Sequence, residues 1–176
     1  MTYVIVENTA AYLPIANTDS GFSDAGGTTI VTPPNRLGAV VRANDPTYGG
    51  GEFIFLQGVA STVVGSVVEY DGTTYATTLC PATANLARPI AVAMAACNTT
   101  TLYGWYQIGG TAVALKGTAS IQPKVAVAVT TTGKIGNTAT GKEIESCRSA
   151  NAATLTSAIT SITLILDRPH MQGRIT

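Results

Sequence analysis

The sequence predicts an all-β fold, a β-sandwich or small β-barrel, preceded by an extended N-terminal arm. Three observations carry that expectation. Apolar and polar residues alternate with period 2 in run after run, and no window sustains a 3.6-residue period. The chain holds 28 threonines, whose branched side chains favour strands. Its 18 glycines punctuate the alternating runs.

The arm comes first. Residues 1–35 carry turn-forming residues throughout and little alternation, yet they contain apolar anchors at Tyr3 to Val6, Tyr12, Leu13, Ile15, Phe22, Ile30 and Val31. A free disordered tail would hold few such residues. Tyr3 to Val6 suit addition as a strand to an exposed sheet edge. Pro14, Pro33 and Pro34 keep the intervening chain extended. Ordering about 35 residues is costly in conformational entropy, so contacts must repay it. The arm is therefore expected to lie across a neighbouring subunit, outside its own core. Tyr3, Ile5, Tyr12, Leu13, Phe22 and Arg36 are the expected partner contacts.

The body, residues 36–176, is expected to be a single β-rich domain. RLGAVVRA (36–43) reads as a strand leading into it. Gly49-Gly50-Gly51 reads as a hinge or tight passage before the strand EFIFLQG (52–58). Residues 64–78 read as a hairpin with Asp71-Gly72 as a two-residue turn, which pairs Tyr70 with Thr73 and Val68 with Tyr75. RPIAVAMAA (88–96) and PKVAVAV (123–129) set large residues on one face and alanine on the other, as a central strand with a close second layer requires. LYGWYQIGGTAVAL (102–115) reads as a second hairpin turning at Gly109-Gly110. That register sets Trp105 against Ala114 and Gly104 against Leu115, large against small. Residues 149–156 read as a short helix or loop, and ITLILD (162–167) as the closing strand.

Charged residues make up 11% of the chain and the formal net charge is zero. Average soluble proteins carry about 25%. So sparse a charge suits a surface covered by neighbours, and the absence of a basic run disfavours nucleic acid as a partner. No apolar stretch reaches the roughly 18 residues that a membrane helix needs. The N-terminal residues include Glu7 and no basic region, so no signal peptide is expected.

No catalytic, cofactor-binding or metal-binding residues are expected. His170 is the single histidine and has no G-x-S-x-G partner motif. Asp167-Arg168 reads as a local ion pair or a contact. GKEIES (141–146) has the Gly-Lys of a phosphate loop without its flanking residues and reads as a strand start. Cys80, Cys97 and Cys147 are odd in number and widely spaced, and so read as buried reduced thiols. Tyr103 and Trp105 lack basic neighbours for base stacking and read as core or interface.

The stretches YGGGEFIFLQGVASTVVGSVVEYD, ARPIAVAMAA and YGWYQIGGTAVA resemble small tailed-phage virion proteins of the capsid-decoration, or cement, type. The resemblance covers residues 48 to 130. It implies a structural protein on the outer capsid surface that stabilises the shell by binding between major capsid protein subunits, made in the host cytoplasm. It also implies self-association, as a trimer in preference to a dimer. The alternative is a tail or head-fibre component that binds a host surface glycan.

Overall fold

The computed structural model describes residues 4–5, 22–23 and 33–174. Among these the chain is all β, with no helix. The strands are β1 (Val4–Ile5), β2 (Phe22–Ser23), β3 (Val40–Asp45), β4 (Gly49–Gln57), β5 (Val67–Tyr70), β6 (Thr77–Leu79), β7 (Ile90–Ala93), β8 (Leu102–Leu115), β9 (Ala126–Thr131), β10 (Lys134–Gly136), β11 (Glu143–Ser149) and β12 (Ser161–Met171). They form one antiparallel sheet in the order β1-β3-β4-β8-β12-β11-β9-β10. A branch, β6-β5-β7, joins at β8. The sheet curls into a half-barrel, the expected fold class.

β8 is the hub. One of its edges pairs with β4 from Tyr103 to Gly110. The other meets β2, then β7, then β12 in succession. With partners on both edges and layers on both faces, the run from Tyr103 to Gly109 is buried throughout. Trp105 and Phe55 form an edge-to-face pair at 5.0 Å in a cluster with Val41, Phe53 and Tyr103. A second cluster holds Ile90, Val92, Val127, Val129 and Leu164. A third holds Ala91, Ala93, Ala95, Tyr106 and Ile54. The two faces of β7 thus divide as its alternation predicts, large residues into one layer and alanines into another.

Several expected connections differ. Gly109-Gly110 is no turn, and β8 runs straight through it because β12 occupies the edge on which a returning strand would have to lie. Trp105 therefore pairs with Phe55, and Ala114 with Ile162. Gly104 makes room for Cys97 in place of Leu115, since a Cβ there would lie 2.6 Å from its sulfur. The 64–78 hairpin exists, but its register is four residues longer. The Asp71 carboxylate accepts the amides of Thr73 and Thr74 at 2.8 and 2.7 Å, which removes both donors from the ladder. Tyr70 pairs with Thr77 as a result. Gly49-Gly50-Gly51 starts β4 and pairs with β3, so it is no hinge, while the tight passage is found at Gly50 and Gly51, against which Gly110 packs with no room for a Cβ. The strand expected at 36–43 begins at Val40, after a turn closed by the Ala39 amide on the Arg36 carbonyl. Of residues 149–156, Ser149 ends β11 and 150–156 form a loop, tied by the bridge between Ile121 and Leu155.

The described part of the arm pairs with the chain's own body. Val4–Ile5 extend the sheet beside Asn44 and Ala43, and Phe22–Ser23 pair with Tyr103 and Leu102. The half-buried Phe22 ring lies 6.4 Å from Phe55 and packs against the tryptophan cluster. The expectation of an arm outside its own core is corrected at Phe22, because β2 fills the part of the β8 edge that β7 and β12 leave open.

Candidate functional site

The register of four strands builds a charged row. Arg42 on β3 is opposite Glu52 on β4, Glu52 is opposite Gly109 on β8, and Gly109 is opposite Asp167 on β12. The next row runs Ala43, Gly51, Gly110, Leu166. Between the charged ends the floor is bare backbone. A Cβ on Gly110, whose φ is +84°, would collide with the Gly50 carbonyl oxygen and come within 3.0 Å of Gly51 Cα. Glycine is thus required both by conformation and by the close approach of β4. The result is an open cleft of about 370 Å³ lined by Arg42, Asn44, Glu52, Asp167, Arg168 and the glycines.

A bulge in β12 supplies the fifth polar group. β11 and β12 shift register between Glu145 and Cys147, and Arg168 takes a left-handed φ of 46°. Bulges of this kind bend the strand and re-aim a side chain. Arg168 reaches across the glycine floor to Glu52, with its Nε 3.1 Å from Oε2. Arg42 Nε donates to Oε1 of the same carboxylate at 3.2 Å. Burial by itself would raise the Glu52 pKa. The hydrogen bonds and charges of Arg168 and Arg42 outweigh it and hold the carboxyl below its ordinary 4.5. The Arg168 charge also reaches the Tyr70 phenol, whose pKa is nonetheless raised by burial. The expected ion pair of Arg168 with Asp167 is replaced by this longer-range one.

Each guanidinium bonds Glu52 through Nε, and its terminal nitrogens make no hydrogen bond to any described residue. Both side chains stay open to solvent, at 68% for Arg42 and 69% for Arg168. The arrangement brings two planar donor groups to one carboxylate, with Asp167 and Asn44 also lining the cleft. It can orient an anionic, hydrogen-bonding ligand. Among the described residues no group of three or more His, Cys, Asp or Glu is placed to hold a metal ion.

The expected partner contacts lie elsewhere. Arg36 is exposed in the turn before β3. Ile5 is on the outermost strand, Phe22 is on the aromatic cluster, and Tyr3, Tyr12 and Leu13 lie outside the described residues. His170 bonds Glu145 at 2.9 Å at the surface. All three cysteines are free and buried. Burial pushes the Cys80 and Cys147 thiols up to about 12, the Glu69 charge adding to the effect at Cys80. Cys97 is pushed up to about 11 by burial, against a lowering hydrogen bond from Tyr106. Sequence reasoning missed the cleft entirely. The signal available was the pair of separate Gly-Gly steps, 50–51 and 109–110, inside strands where glycine is otherwise disfavoured.

No protein-family model matches the chain, and no curated protein matches it.

Proposed function

We propose that the chain is a structural virion protein of the capsid-decoration type, which binds between the subunits of a phage shell and stabilises it. The observation that carries this reading is the way the arm attaches. Val4–Ile5 and Phe22–Ser23 each join the sheet through a two-residue backbone ladder, with Phe22 seated on Phe55. Such short additions are exchangeable. The same ladder and the same aromatic seat accept the arm of a neighbouring copy, or release the arm to a shell, at little net change in bonding. Many weakly attached copies then act together through avidity.

Two features support the reading. Of the resembling residues 48–130, β4 and β7 pair with β8, and β5 and β6 join through β7, so β4 to β8 make one connected patch of sheet apart from β9. The 11% charged composition suits a surface shared with neighbours.

The test is co-sedimentation with shells stripped of this protein. Full-length chain is expected to pellet with them and raise their melting temperature. Phe22→Ala, with an unchanged circular dichroism spectrum, is expected to pellet weakly. Equal binding by the two proteins would move attachment from the arm to the sheet surface, and no binding by either would remove the decoration reading.

A further inference from the structure

We propose that the cleft between Arg42, Glu52 and Arg168 is a binding site for an acidic saccharide, a sugar unit bearing a carboxylate flanked by hydroxyls. The inference stands apart from shell binding, since the cleft would serve a free chain and a shell-bound one alike.

The donor and acceptor set selects the ligand. Two guanidiniums each donate Nε–H to one carboxylate, with their terminal nitrogens unused among the described residues. Planar guanidinium donors match a ligand carboxylate in a two-point contact. The charges in the cleft sum to zero, from Arg42 and Arg168 against Glu52 and Asp167. A doubly charged phosphate therefore gains little net field there, and Asp167 repels it. A singly charged ligand meets about half that repulsion, and its hydroxyls add contacts that do not depend on net charge. Its carboxylate accepts from the arginines while its hydroxyls donate to Asp167 and to the Asn44 side-chain oxygen.

Shape and position favour a sugar over a peptide. On the face shared with Arg42, Asn44 and Glu52, Gly50 and Gly109 have no Cβ to keep a flat ring from the backbone, and the cleft volume of about 370 Å³ lies in the range of small-ligand sites. Extended peptides dock by hydrogen bonding to a free sheet edge. Here β4 and β8 pair on both edges, and β3 is bordered by β4 and by β1 at Ala43 and Asn44. The cleft lies in mid-sheet and offers a peptide backbone no such ladder.

The test uses the full chain labelled with ¹⁵N and follows backbone amides together with arginine Nε–H signals by NMR. Glucuronate, glucose, acetate, inorganic phosphate and an aspartyl tripeptide are added separately at matched ionic strength. Glucuronate is expected to shift the Arg42 and Arg168 Nε–H signals and the Gly109 and Gly110 amides saturably, at concentrations where the other four leave them in place. Arg168→Gln is expected to weaken glucuronate binding at least about tenfold, the loss of one charge-assisted contact. Arg42→Gln gives the same readout should the first variant not fold. Equal shifts with acetate or phosphate would reduce the cleft to a general anion site. Equal shifts with the tripeptide would assign it to protein, and no shift with glucuronate would overturn the proposal.

Discussion

Trp105→Ala is expected to destabilise the chain by about 3–5 kcal/mol, the usual range for truncating a large aromatic in a core. The structure supplies the terms. Trp105 is 1% exposed. An indole so buried removes on the order of 200 Å² from water, which at about 25 cal/mol per Å² gives roughly 5 kcal/mol before the cavity relaxes. The edge-to-face contact with Phe55 at 5.0 Å and 66° is lost as well. In a chain of 176 residues each kcal/mol lowers the melting temperature by about 2–4 °C, so a drop of about 6–20 °C is expected. Urea unfolding should be followed by far-UV circular dichroism, because Trp105 is the single tryptophan and its replacement removes the indole fluorescence. A double-mutant cycle separates the two possible neighbours. Trp105→Ala with Phe55→Leu should couple by about 0.5–1.5 kcal/mol. Trp105→Ala with Ala114→Gly should be additive, since Ala114 packs in a different cluster. A loss below about 1 kcal/mol, well under the core range, would refute the burial argument. Coupling to Ala114 in place of Phe55 would refute the strand register.

Gly110→Ala should destabilise by more than the roughly 1 kcal/mol typical of point changes, because it strains a positive φ and strikes the Gly50 carbonyl; Gly72→Ala, with open space around it, serves as the control in the same urea series. The three thiols should fail to react with a disulfide reagent at pH 8 in the folded chain and react fully in urea, since burial holds all of them far above neutral pH. Glu52→Gln tests the arginine pair. The folded-state pKa lies below 4.5, so its stabilisation is present above 4.5 and lost as pH falls through the lowered value. The stability gap between wild type and Glu52→Gln should be constant near neutral pH and close in acid, and a gap that widens in acid would reverse the sign of the argument.

What was legible in the sequence depended on how local its cause was. The strand character of β7, β9 and β12 shows in alternation and that of β4 in the short apolar run Phe53 to Leu56, and the two faces of β7 show as well. The hairpin at Asp71 shows its position but not its register, because the Asp71 carboxylate captures two amides that a two-residue turn leaves for the ladder. β8 was misread because Gly-Gly is a turn signal in isolation. Here it marks a place where a third and a fourth strand, distant in sequence, press against the backbone. The cleft was illegible for the same reason. Arg42, Glu52 and Arg168 are 116 residues apart at their furthest salt-bridged pair, and only the sheet order with a bulge in β12 brings them together. The cysteines were legible because an odd, scattered set has no local partner.

The central claim, that the chain is a structural component of a shell, is tested most directly by counting it. Quantitative mass spectrometry of purified virus particles gives the ratio of this chain to the major shell subunit. Copy numbers comparable with that subunit are expected for the full-length chain, and lower ones for Phe22→Ala. A ratio of only a few copies per particle would contradict shell decoration and place the chain in a tail or fibre, and its absence from particles would contradict the claim altogether.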